Sequence, residues 1–536
     1  MYRVNLTTSH FPAQADQRVL ETTVGGSLRT QAAVTPDAEA LVEADAAGEL
    51  RRRWTYAELL ADAEGLARAL LTRYRPGERI AVWAPNAPEW VVLMYGAGLA
   101  GLTLVTVNPA YQPRELEYVL KQSGSVGLFL VREHRGNPMA AIAAEVATRL
   151  PALREIVDIE DAAALHAGDA AAALPDVEPG DPAQIQYTSG TTGFPKGVVL
   201  PHRGITNNAR LSMIRMGLKP GDTIINQMPL FHTAGCGLLT LGPVQHGARM
   251  VLVRLFDPGR VLDIAEATRA VWLGGVPTML VTMLEAQAQR PRDLSAVRTA
   301  MAGGSMVPPE LVRRVREGFD CDFHIVYGQT EVSCLATLTN AGDSEDDLTG
   351  TVGQALPATE VAVRDPTTGA VVPVGQVGEI CLKSFGAMLG YNDNPEATAA
   401  TIDADGWLHT GDLGAMDARG YLRITGRVKD MIIRGGENLF PAEIENVLLE
   451  HPDVAECAVV GAPDDTWGEI VVCFLRTAPG ARLDPAALVA HCRANLSGPK
   501  TPVHWIEVAD WPLTGSGKIQ KFVLRDRFVA GEFEPA

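Results

Sequence analysis

The sequence is short of positive charge. Its 536 residues carry 46 Lys and Arg against 64 Asp and Glu, a formal net charge of -18. Such a surface repels nucleic acid and anionic membranes at long range, so neither is expected as a partner. It also repels polyphosphates, so a guest of that kind needs a local cluster of basic groups and backbone N–H donors. Cysteine is scarce: seven residues, at 236, 321, 334, 381, 457, 473 and 492, none in a CxxC pair. This odd, scattered set argues against a disulfide framework or a zinc site, and reduced thiols point to the cytoplasm. No run of about 18 apolar residues occurs, so no membrane span is expected. Residues 1–17 lack an apolar h-region and are not read as a secretory signal. Internal repeats and coiled-coil heptads are missing too.

What is present is ordinary globular material, 46% hydrophobic and 21% charged. At roughly 150 residues per domain the length implies three or four units. Apolar residues recur at helical spacing from Tyr56 to Leu70, behind a candidate capping box of Thr55 and Glu58. Arg79–Ala84 reads as a buried strand, Pro88–Ala100 as a helix and Leu102–Val107 as a strand. That order predicts βαβ units and a parallel sheet. The alanine-rich stretch 139–174 predicts short surface helices and a connection. From 350 to 425 short strands at 361–363, 371–372, 378–383 and 421–425 are divided by Gly and Pro, the pattern of a β-rich subdomain. Beyond Gly426 the pattern is α/β again, with helices at 441–450 and 485–495 around a strand at 455–460.

The densest chemical signal runs from Tyr187 to Gly197. Thr188, Ser189, Gly190, Thr191, Thr192, Gly193 and Lys196 follow a strand. Glycines let successive N–H groups turn inward, hydroxyls add donors, and the lysine adds a mobile cation. A polyphosphate is the natural guest, although the spacing is not that of a Walker A loop. Tyr327-Gly328-Gln329-Thr330-Glu331 offers a hard oxygen ligand that suits Mg²⁺ beside phosphates, or a strand end with a solvated Glu. Ala302-Gly303-Gly304-Ser305 would let a flat ring approach the backbone, and a tight turn explains it equally well.

The Tyr187–Gly197 string resembles the phosphate loop of the adenylate-forming superfamily: acyl-CoA synthetases, peptide-synthetase adenylation domains and luciferases. The resemblance runs from about residue 50 to 526. The strings 426–438 and 512–521 are most similar to medium-chain fatty acyl-CoA synthetases. It implies an α/β multidomain fold. A large N-terminal domain, 1–428, would hold two α/β sheet subdomains and the small β-rich subdomain of about 350–425. A small mobile α+β C-terminal domain would follow at 429–536, with Lys429 as hinge.

By the same resemblance, Tyr327, Gly328, Gly303, Gly304 and Ser305 surround adenine, Thr330 contacts the AMP phosphate, and Glu331 holds Mg²⁺. Asp412 and Arg427 take the ribose. Lys518 bridges the carboxylate and the α-phosphate during adenylation, where a cation between two anions lowers the barrier. Gly435, Gly436 and Glu437 face the CoA path, Gly436 leaving room for the pantetheine arm, and Trp467 stacks the CoA adenine. Relatives commonly carry an aromatic residue where Pro499 precedes Lys500 here. The implied acyl pocket holds Cys236, Gly237, Val276, Met301, Ala302, Val332 and Cys334, with His232 at its entrance. Amino-acid-activating relatives place an aspartate at that position, so an ammonium would lack its counter-charge here. The implied reaction joins a carboxylic acid to CoA through acyl-AMP, with ATP and CoA as co-substrates. The alternatives are an acyl-AMP ligase loading a carrier protein and an aryl-acid CoA ligase. A homodimer follows only from family habit.

Overall fold

The computed structural model describes residues 1–169, 171–188, 195–435, 437–478, 480–512 and 519–533. The chain partitions into two compact units. The first comprises residues 1–4, 11–361 and 382–408; the second comprises 5–10, 362–381 and 409–536.

Two sheets organise the first unit. A seven-stranded sheet runs in the order Gly390–Tyr391, Lys196–Pro201, Pro182–Thr188, Thr103–Val107, Arg79–Trp83, Gly127–Leu130, Glu155–Asp158. Its central pairings are parallel, as the strand–helix–strand pattern predicted. The intervening helix Pro88–Leu99 is buried at almost every position, which fits its unbroken apolar run and proline start. The capping box at Thr55 and Glu58 forms as expected and opens the helix Tyr56–Leu71. A nine-stranded sheet holds Gln354–Ala355, Thr337–Leu338, Asp322–Tyr327, Thr299–Gly303, Trp272–Gly275, Thr223–Asn226, Arg249–Val253, Glu39–Ala44 and Leu50–Thr55, in that order.

The β-rich segment is present as strands Thr359–Arg364, Gly378–Ser384, Leu408–Met416 and Leu422–Arg427, in that order in their sheet. The strand expected at 371–372 is only an isolated bridge between Arg364 and Val371. Leu408–Met416 was not anticipated, because His409-Thr-Gly-Asp412 has the composition of a turn. The alanine-rich stretch also differs. It contains a strand, Glu155–Asp158, and a helix, Met139–Ala147, whose Met139, Ile142, Ala143 and Val146 are buried rather than superficial.

In the second unit, a long hairpin of Val454–Asp464 and Gly468–Thr477 carries the parallel strand His504–Glu507 and the short pair Ile432–Arg434 and Glu437–Leu439. Helices Pro441–Leu449 and Pro485–Asn495 begin with proline, where the missing N–H costs nothing. No helix of the described residues is long and apolar enough to cross a membrane.

Candidate active site

Strand Pro182–Thr188 pairs antiparallel with Lys196–Pro201, and the register sets Thr188 opposite Lys196. The intervening Ser189, Gly190, Thr191, Thr192 and Gly193 lie outside the described residues. Lys196 Nζ stands 4.6 Å from the centre of the Tyr391 ring. The Tyr391 hydroxyl donates to Glu331 Oε1 at 2.8 Å. Lys196 and Glu331, 135 positions apart, are thus joined through one tyrosine. Tyr391 gets there because Gly390–Tyr391 forms an edge strand on Val198–Val199. Burial, with the Glu331 carboxylate beside it, pushes the phenol well above its ordinary pKa, so it remains a donor. No local signal marks Tyr391 in the sequence, where it sits among Asn and Pro turn residues.

Glu331 is buried, and its carbonyl accepts from Met388 N–H at 2.8 Å. It lies on the single turn Thr330–Val332, followed by Ser333 at φ 65 and Cys334 at φ 127. Two non-glycine residues in the left-handed region are costly and need outside support. Asn208, fully buried on helix His202–Arg215, supplies it. Its amide donates to the carbonyls of Val332 at 3.1 Å and Leu335 at 2.6 Å, and its carbonyl oxygen accepts from Leu335 N–H at 3.1 Å. Ser333 Oγ adds a bond to the Gly386 carbonyl at 2.7 Å.

Strands Thr299–Gly303 and Asp322–Tyr327 pair in parallel, with Gly303 beside Val326. Gly303 is buried, Gly304 and Ser305 are exposed, and Tyr327, Gly328 and Thr330 are half-buried. At Gly328 a Cβ would lie 2.0 Å from the Cys334 carbonyl oxygen, so only glycine fits that approach.

Every residue of the predicted pocket set is uncharged, and all but the half-buried Val276 are buried. Cys236, Met301, Ala302, Val332 and Cys334 are buried, and Val276 and Gly237 accompany them. Met301 and Cys334 share one core cluster with Trp272, Leu238, Leu239 and Val326. Burial pushes the thiols of Cys236 and Cys334 up to about 12, so they act as apolar wall rather than nucleophile. Two buried amides escaped the sequence reading. Gln186 Nε2 donates to Gln184 Oε1 at 2.8 Å and to Cys236 Sγ at 3.1 Å. His232 precedes the wide helix Thr233–Leu241, and its ring centre lies 4.2 Å from that of Phe231.

In the second unit, the hairpin of Leu408–Met416 and Leu422–Arg427 sets Asp412 opposite Arg427, and Arg427 Nε donates to Asp412 Oδ1 at 3.1 Å. Their separation of 15 positions is the hairpin's span. Lys429 is exposed in the turn Val428–Asp430. Gly435 N–H donates to the Trp467 carbonyl at 2.8 Å, and the Arg434 guanidinium lies 5.6 Å from the Trp467 ring centre. Trp467 is 51% exposed, and Glu437 is exposed nearby in sequence. Gly436 and Lys518 lie outside the described residues.

The family model described as AMP-binding enzyme matches residues 28–392, and that described as AMP-binding enzyme C-terminal domain matches 443–518. The chain belongs to the AMP-binding enzymes. This AMP-binding enzyme is 37% identical to YngI of Bacillus subtilis (strain 168), an alignment covering 95% of this chain and 98% of the relative. It is 33% identical to the mitochondrial medium-chain acyl-CoA ligase ACSF2 of Rattus norvegicus, covering 97% of this chain and 89% of the relative. Among solved structures it is similar to ATP-bound MatB from Rhodopseudomonas palustris, with a TM-score of 0.84 and 31% identity over 95% of this chain and 99% of that one. Within its family the enzyme is an acyl-CoA synthetase, an AMP-forming acid–thiol ligase that uses ATP and CoA as substrates.

Proposed function

We propose that the enzyme activates a straight medium-chain fatty acid, in the cytoplasm, and passes it to CoA. In the first step a carboxylate oxygen attacks the α-phosphorus of ATP, the bond to the β-phosphate breaks, and pyrophosphate leaves. In the second the CoA thiol attacks the acyl carbonyl, its proton is lost, and AMP leaves. The observation that carries this reading is the Lys196–Tyr391–Glu331 assembly, which gathers a cation and a hard oxygen ligand where the phosphate-loop strands begin and end.

Each residue has a task in this scheme. Thr188, Lys196 and the loop between them hold the phosphates, with Thr330 on the α-phosphate. Tyr327, Gly303, Gly304 and Ser305 bound the adenine, and Asp412 with Arg427 takes the ribose hydroxyls. Lys518 neutralises the charge that accumulates between carboxylate and α-phosphate. Gly436 and Trp467 serve CoA, and Lys429 is the hinge at the head of the small domain 429–536. Mg²⁺ fits Glu331, a buried carboxylate held in place by a neutral phenol and, among the described residues, by no cation. When bound, the ion neutralises phosphate charge.

The acyl choice follows from the wall. The predicted pocket residues carry no charge, and the buried amides of Gln184 and Gln186 bond one another and Cys236. A substrate ammonium placed there would lose hydration without a charged partner among the described residues. No disulfide joins the seven cysteines among the described residues, the state a reducing compartment such as the cytoplasm would keep.

The test is pyrophosphate release over octanoate, phenylalanine, coumarate and anthranilate, with and without CoA. Octanoate should show the highest kcat/KM, and CoA should convert the acyl-AMP to thioester and AMP. A preference for coumarate or anthranilate would replace the fatty acid with an aryl acid. Thioester formation only on a carrier protein would replace CoA.

A further inference from the structure

Asp412 is held by a device that lies away from its own side chain. Strand Gly378–Ser384 runs beside Leu408–Met416, and it brings Glu379 against residues 409–412. One oxygen of Glu379, Oε1, accepts from Gly411 N–H at 3.1 Å. The other, Oε2, lies 2.8 Å from His409 Nδ1. Thr410 Oγ1 donates to the Ile380 carbonyl at 2.7 Å and accepts from Asp412 N–H at 3.0 Å. Side chains therefore hold the backbone N–H groups of Gly411 and Asp412.

The backbone at this point requires such support. Gly411 has φ 71, in the left-handed region, while a Cβ there would meet nothing within 4 Å. The glycine is thus needed for backbone conformation and not for space. The sheet register also shifts between Leu413 and Gly414, so the ladder alone does not fix this stretch. Glu379 is 13% exposed and Asp412 14% exposed, so both carboxylates work with little solvent screening. The ligand atoms of Glu379, Cys381 and His409 lie within 4.8 Å of one another, a spacing that also suits a metal triad. A carboxylate oxygen and an imidazole nitrogen on one tetrahedral zinc stand roughly 3.3 Å apart, given bonds of ~2.0 Å. At 2.8 Å they are hydrogen-bonded to each other instead.

We propose that Glu379 is a positioning residue for nucleotide recognition: it locks the Gly411 turn and thereby aims the Asp412 carboxylate at the ribose hydroxyls. The inference rests on the reading of Asp412 as the ribose acceptor. Glu379 itself touches neither substrate nor reacting atom. Its effect is specific to nucleotides that carry ribose hydroxyls.

The experiment compares KM for ATP and for 2′,3′-dideoxy-ATP in pyrophosphate release, with octanoate as acid. Hydrogen bonds to a charged group are worth ~1.5–3 kcal/mol, so wild type should prefer ATP by roughly tenfold or more. Asp412→Ala and Glu379→Ala should both raise the ATP KM and leave the dideoxy-ATP KM nearly unchanged, bringing the preference towards one. Glu379→Gln retains an acceptor for Gly411 N–H and should recover part of the preference. Gly411→Ala strains the same turn from the other side and should lose preference while Glu379 is intact. It also serves if Glu379→Ala melts early. Preference lost in Asp412→Ala but kept in both Glu379→Ala and Gly411→Ala overturns the positioning role alone. Preference kept in Asp412→Ala overturns the ribose reading, and this inference falls with it. A fall in kcat that is equal for both nucleotides, with the ratio of KM values unchanged, would mark Glu379 as purely structural.

Discussion

Replacing Tyr391 by Phe removes one hydroxyl and keeps the ring. Lys196 retains its aromatic face, 4.6 Å away, while Glu331 loses the phenol that holds Oε1. A hydrogen bond to a charged group contributes ~1.5–3 kcal/mol, so Tyr391→Phe should lower adenylation kcat/KM by about tenfold or more. It should also raise the Mg²⁺ concentration that gives half-maximal rate, because the carboxylate is no longer aimed. Tyr391→Ala should cost more, since the lysine then loses its ring as well. A magnesium titration of pyrophosphate release checks both variants. An unchanged magnesium dependence in Tyr391→Phe would separate Glu331 from the metal. This tyrosine shows why a site is only partly legible in a sequence. Thr188 and Lys196 announce themselves by a local string. Tyr391 reaches Glu331 from 60 positions away through an edge strand of two residues, which no periodicity reveals.

At the scale of the element, helix His202–Arg215 does more than cover a sheet. Asn208 closes three hydrogen bonds onto the turn that carries Glu331, and that turn is strained at Ser333 and Cys334. Asn208→Ala leaves the Val332 carbonyl and both Leu335 backbone groups without that partner in a buried place. At ~1–3 kcal/mol for each unsatisfied group, a loss of several kcal/mol is expected before relaxation. Thermal melting should fall by several degrees, and adenylation should fall further than folding alone requires at a temperature where the variant is still native. Normal kcat in a destabilised Asn208→Ala protein would show that the turn holds its shape unaided. Elements with chemical punctuation were legible: Thr55 and Glu58 opened a helix, and prolines opened those at 88, 441 and 485. Leu408–Met416 was not, because its polar Thr-Gly-Asp centre has turn composition and is held by Glu379 and Thr410 as well as by the ladder, whose register shifts after Leu413. Its partner Arg427 was seen as a motif, yet only the hairpin register explains the 15-residue spacing.

Histidines buried in the first unit make its stability depend on acidity. His202 is almost fully buried and accepts from Val24 N–H at 3.2 Å through Nδ1, and burial lowers its pKa from 6.5 to about 4. The folded form thus refuses a proton that the unfolded chain accepts below about pH 6.5. Stability falls as pH drops from about 6.5 towards 4, by on the order of 2 kcal/mol at pH 5 for this one group. His246 and His324 are shifted in the same direction by burial and add to the slope. Melting curves at pH 7 and pH 5 should show a smaller acid loss for His202→Asn, which keeps an acceptor but does not titrate in this range. Identical losses in variant and wild type would mean that His202 opens to water before the chain unfolds.

On the proposed reading the two half-reactions place opposite demands on the residues from 429 onward, and this is where the whole molecule is tested. Before pyrophosphate leaves, a carboxylate and a triphosphate must be held together against their own repulsion. Afterwards the acyl-AMP is a mixed anhydride that a thiol attacks, and no second polyanion has to be neutralised at the α-phosphate. A lysine that bridges the two anions is therefore needed in the first step only. Removing one preorganised electrostatic group costs roughly 10²–10³ in rate, so Lys518→Ala should nearly abolish ATP-dependent acyl-AMP formation. The same protein, given acyl-AMP and CoA, should form the thioester at a near-normal rate. Gly436→Leu should do the reverse, since a branched side chain obstructs the pantetheine arm and leaves adenylation intact. Rapid-quench measurement of each half-reaction separates them, once both variants are shown to melt like wild type. Equal loss of both half-reactions in both variants would mean that one arrangement of residues serves both steps, and the hinge role proposed for Lys429 would then have no task to perform.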